Sequence, residues 1–66
     1  MNVVSEMTQL AVARPSPDAA PDVISEWYAA KARLHAHLAS AGGPDSAREA
    51  ALSLQAELRA KQILSS

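Results

Sequence analysis

Few residues in this chain are of types that do chemistry. His35 and His37 form a His-x-His pair. On a strand this spacing points both imidazoles to one side, where they can chelate a metal ion. The pair sits inside a run of helix formers, however. Two steps along a helix turn the chain by about 200°, so the rings face opposite ways and cannot share an ion within one chain. The chain has no cysteine, which removes thiolate metal sites and thiol nucleophiles. Glu26, Glu49 and Glu57 have no spacing that marks an acid–base pair, and no serine has a general-base partner that the sequence identifies. Gly42-Gly43 is not followed by the Lys-Ser/Thr of a phosphate-binding loop. No catalytic residue, cofactor or metal is therefore expected, and the chain reads as a non-enzyme.

Charge weighs against phosphate binding. Six Lys and Arg face seven Asp and Glu, for a net charge of −1. A domain that grips a nucleic acid backbone carries an excess of basic residues. Trp27 and Tyr28 are too few for a base-stacking platform. Arg48 and Arg59 do share one side of their helix, which keeps a small DNA-associated regulator as a distant alternative. No apolar run approaches the roughly 20 residues that cross a bilayer. The first residues lack the basic and apolar regions of a secretory signal. The expected setting is cytoplasmic, and the high alanine content fits a small bacterial protein.

The elements that would position these side chains follow from one short stretch, Ala41-Gly42-Gly43-Pro44-Asp45-Ser46. Glycine is favoured just past a helix end and proline in the first turn of the next helix. Gly42, Gly43 and Pro44 thus mark a turn between two runs free of internal Gly and Pro. The expected helices cover 22–41 and 46–64, with the turn at 42–45, and so short a connection makes them antiparallel. Residues 14–21, RPSPDAAP, read as a Pro-rich linker. Residues 1–13 read as an N-terminal arm, either disordered or a short helix with Val3, Met7 and Leu10 at helical spacing.

Both long helices are two-sided on a wheel of about 100° per residue. The first carries a large-residue stripe of Val23, Ile24, Trp27, Ala30, Leu34, Leu38 and Ala41. Opposite lies a small-residue seam of Ser25, Ala29, Ala32, Ala36 and Ala39. The second carries Ala47, Ala51, Leu54 and Leu58 on one face, and Leu52, Ala56 and Ile63 on the other. Matching large with large gives a hairpin or bundle core of Ile24, Trp27, Leu34, Leu38, Ala51, Leu54 and Leu58. A second interface is then expected from Ala29, Ala32, Ala36, Ala39, Leu52, Ala56 and Ile63. Trp27 reads as a core anchor, with the Lys31 ammonium over its ring.

A chain of 66 residues buries little surface, and one core of this size gives roughly 3–5 kcal/mol. Self-association or docking on a partner is the remaining supplement. The fold expected is all-α: an antiparallel helical hairpin that pairs into a homodimeric four-helix bundle, with the N-terminal arm appended. The function expected is a protein–protein interaction module, an adaptor, regulator or inhibitor, whose partners are itself and another protein. The alternative is a structural or accessory subunit of a larger assembly such as a phage particle or multi-subunit enzyme.

Overall fold

A computed structural model of the chain describes residues 3–65. It is all-α, with α1 at Val3–Val12, α2 at Pro21–Ser40 and α3 at Ser46–Ser65. Pro21 occupies the first turn of α2, where its missing N–H is not needed. Ala20 before it is extended, and its carbonyl accepts from the amides of Val23 and Ile24 at 3.0 and 3.1 Å. At the other end the Ala41 and Gly42 amides donate to the His37 and Ala39 carbonyls, both at 3.2 Å. Gly42 and Gly43 then take φ of 81° and 97°, a region where a Cβ would clash with the backbone, and the chain reverses. The turn closes with Ser46 N–H on the Gly43 carbonyl at 3.3 Å, and the Asp45 carbonyl accepts the Glu49 amide at 2.9 Å. Glu49 had the spacing to reach back to Ser46 as a capping box. Its carboxylate instead turns across the hairpin to His35, at 2.6 Å.

The two outer helices lie on different sides of α2, and the Cα envelope measures 36 × 23 × 16 Å. Both α1 and α3 pack on α2, and among the described residues they do not touch each other. The two histidines show why. His35 and His37 project from opposite sides of α2, one to Glu49 on α3 and the other to Glu6 on α1. A helix flanked on both sides in this way is central without being enclosed. Among the described residues no large side chain is fully buried.

The α2–α3 contact is a seam of small residues. Ala32 on α2 and Ala56 and Ala60 on α3 are buried, together with Ser25. Alanine lets two helix backbones approach to the close end of the usual interaxial range. At that distance a serine on one helix reaches the main chain of the other. Ser25 Oγ–H donates to the Ala60 carbonyl at 3.0 Å, and Ser53 Oγ–H donates to the Ala32 carbonyl at 2.8 Å. The two bonds are reciprocal, one running in each direction across the seam. They fix the antiparallel register, because a shift of one residue would break both. Replacing Ser25 and Ser53 together by Ala should lower the urea midpoint by an amount equal to about 1–3 kcal/mol. Urea titration followed by circular dichroism checks this; an unchanged midpoint would show that alanine packing alone sets the register.

Ten-residue α1 buries none of its own side chains. A helix this short is marginal in water, so it depends on α2 for its structure. Trp27 Nε1–H donates to the Leu10 carbonyl at 2.9 Å, near the end of α1 where carbonyls lack intrahelical partners. One face of α1 is thus tied at Leu10 and again at Glu6, whose carboxylate accepts from His37 Nδ1 at 2.9 Å.

Candidate interaction surface

The large-with-large pairing does not occur within the chain. The predicted core residues separate into three groups. Leu34 is buried, at 7% exposure. It lies on the side of α2 that carries Trp27 and His37, between the two residues that bond α1. Ile24, Trp27 and Leu38 are half-buried. Ala51, Leu54 and Leu58 are exposed, with 56% of Leu54 and 48% of Leu58 open to solvent. The stripes of α2 and α3 that were to meet in a hairpin core point away from each other.

The predicted second interface is what joins the hairpin. Ala32 and Ala56 are buried, and Ala29, Ala39, Leu52 and Ile63 are half-buried. Ala36, at the margin of that seam, is exposed. Gly42, Gly43 and Pro44 are exposed in the turn. The physical reason for the exchange is distance. Leucines between the helices would hold them too far apart for Ser25 and Ser53 to reach the opposing carbonyls, whereas alanines allow it. Sequence reading missed Ser53 and Ala60, although their spacing from Ala56, three before and four after, places them on the same face. It also missed Glu6, because nothing local signals that α1 folds back over His37.

Trp27 anchors α1 rather than the hairpin. Its indole meets the Tyr28 ring edge-on at a centroid distance of 5.2 Å, and the Lys31 ammonium lies 5.6 Å from its centroid, as expected for a cation over an aromatic face. Each imidazole is held by one carboxylate. An ionised carboxylate only accepts, so Nδ1 of His35 and of His37 carries the proton in these bonds. Among the described residues no group of three or more His, Cys, Asp or Glu is placed to hold a metal ion. No helix of the described residues is long and apolar enough to cross a membrane.

What stands out chemically is the outer side of α3. Ala47, Ala51, Leu54 and Leu58 recur at intervals of four, three and four, the spacing of a coiled-coil seam. On the wheel they lie about 180° from the Ala56–Ala60 line that faces α2. Their far end is bounded by Lys61, whose ammonium meets Glu57 at 3.3 Å in an exposed pair. Further apolar side chains, Val4, Met7, Val12, Val23 and Leu64, are also exposed. Together they hint at a partner surface, and the α3 stripe is its regular part. No protein-family model, curated protein or solved structure matches the chain.

Proposed function

We propose that this chain is a small non-enzymatic interaction module, an adaptor, regulator or inhibitor, that acts through the apolar face α3 leaves uncovered. The observation that carries this reading is the exposure of Leu54 and Leu58 in line with Ala47 and Ala51. Covering two half-exposed leucines contributes on the order of 1–2 kcal/mol each. A small three-helix fold whose hairpin is joined by alanines has little stability of its own, and docking supplies what its size denies it. The reciprocal serine bonds hold α3 straight and in register, so the stripe is presented as a fixed row. This limits the conformational entropy lost when a partner covers it.

The test is a double substitution on the outer face. Leu54→Glu with Leu58→Glu should leave the circular dichroism spectrum and thermal midpoint of the dilute chain close to wild type, since neither side chain is buried in it. The same variant should lose whatever association the wild type makes, whether self-association in sedimentation equilibrium or specific retention of another protein in a pull-down. A wild type that sediments as a monomer and retains nothing the double variant does not retain would defeat the interaction reading.

A further inference from the structure

We infer that the occupant of the α3 stripe is a second copy of this chain, paired antiparallel about a twofold axis that passes between residues 52 and 53. This rests on the reading of that stripe as an interaction surface and names its partner. The argument starts from the order of side-chain sizes along the seam: small, small, large, large, for Ala47, Ala51, Leu54 and Leu58. An antiparallel pair centred on 52–53 sets Ala51 against Leu54 of the other copy and Ala47 against Leu58, and the twofold repeats both. All four layers then hold one alanine and one leucine, so the interaxial distance is the same along a seam of about 17 Å. The surface is self-complementary, as a twofold interface requires.

Other arrangements of the same stripe are poorer. A parallel pair stacks alanine on alanine and leucine on leucine, which leaves gaps at one end and crowding at the other. An antiparallel pair shifted to set Leu54 against Leu58 brings Lys61 onto Ala51 and draws its ammonium, with the Glu57 carboxylate it meets, out of water against an apolar contact, at a desolvation cost. In the register centred on 52–53, Lys61 lies beyond the last leucine. It comes level with Pro44-Asp45 of the second copy, at the exposed turn, where its ammonium stays in water. The residues flanking the seam, Arg48, Ala50, Gln55 and Glu57, bring no like charges into apposition across it. The two hairpins then lie in the order α2, α3, α3 of the second copy, α2 of the second copy. Because each α3 is already held to its own α2 by the Ala56–Ala60 seam, the pairing asks for no rearrangement of either chain.

Absence of cysteine makes the register directly testable in the full chain. Two variants, Ala51→Cys and Leu54→Cys, are purified separately, mixed in equal amounts and oxidised slowly. The cross-linked species are then identified by mass. The inferred register predicts that the mixed 51–54 disulfide rises well above the half expected from random pairing and exceeds either like-with-like product severalfold. Sedimentation equilibrium of the wild type should show a dimer. Ala51→Glu should raise its dissociation constant by more than tenfold while leaving helicity unchanged. Predominance of 51–51 and 54–54 disulfides would overturn the antiparallel register. A wild type that stays monomeric over the full concentration range, or a dimer indifferent to Ala51→Glu, would overturn the second copy as occupant. Specific retention of a different protein by that monomer, lost in the Leu54→Glu/Leu58→Glu variant, would separate this failure from failure of the interaction reading itself.

Discussion

Replacing Leu34 by Ala should release α1 and leave the α2–α3 hairpin standing. Among the described residues Leu34 is the one large side chain that is buried. It sits on α2 between Trp27, which bonds the Leu10 carbonyl, and His37, which bonds Glu6. Truncating a buried leucine costs about 2–5 kcal/mol, through lost transfer energy and the cavity that remains. The remaining ties to α1 are one hydrogen bond and one part-buried histidine–carboxylate contact, each worth roughly 1–3 kcal/mol. A ten-residue helix does not persist undocked, so release of α1 is also its melting. The expected readout is a fall in the 222 nm dichroism equal to the share of α1, with a red shift of the single tryptophan as Trp27 gains water. Unchanged ellipticity and emission would show that Leu34 does not hold α1 in place. Loss of nearly all helicity would show that the hairpin depends on α1, contrary to the separation of the two contacts on opposite sides of α2.

Replacing Ala56 by Glu should open the hairpin itself. Ala56 is buried in the seam between α2 and α3, between the two serine-to-carbonyl bonds. A longer side chain there forces the helices apart, which by itself costs about 1–3 kcal/mol. The carboxylate adds a desolvation penalty. Together these reach the roughly 3–5 kcal/mol that a chain of this size commands, so the variant should be largely unfolded at room temperature. Ala36→Glu is the matched control. Ala36 is exposed at the margin of the same seam, and its glutamate should leave the melting curve of the dilute chain nearly unchanged. A cooperative transition for Ala56→Glu at the wild-type midpoint would mean that the alanine seam is not what joins the hairpin.

Local structure was legible from residue types because its causes are local. Gly42 and Gly43 adopt the positive φ that their position after a helix requires, and Pro21 stands in the first turn of α2. The antiparallel hairpin follows from the shortness of that turn. Rotation per residue was enough to say that His35 and His37 face opposite ways, and they bind carboxylates on two different helices. Lys31 over the Trp27 ring follows from one helical turn of separation. The wheels placed Ala32 and Ala56 on faces opposite the large residues, where the structure buries them, but left out Ser53 and Ala60 and included Ala36, which is exposed.

Which face met which was not legible. Ranking faces by hydrophobicity joins leucine with leucine, and in this chain it fails. The choice between faces depends on how closely two backbones can approach, a property of the pair rather than of either helix. Alanine at 32, 56 and 60 permits the approach that lets Ser25 and Ser53 bond opposing carbonyls, and those bonds exist only in the assembled pair. The fate of α1 is non-local for the same reason: Val3–Val12 is tied down by Trp27 and His37, which lie 17 and 31 residues from the α1 groups they bond. By itself, then, the sequence determined α2 and α3, their turn and their two-sided character. Tertiary structure decided that the small faces close the hairpin and that the Leu54–Leu58 face stays open. Helix formation is governed by neighbours along the chain, whereas face selection is governed by distances across it.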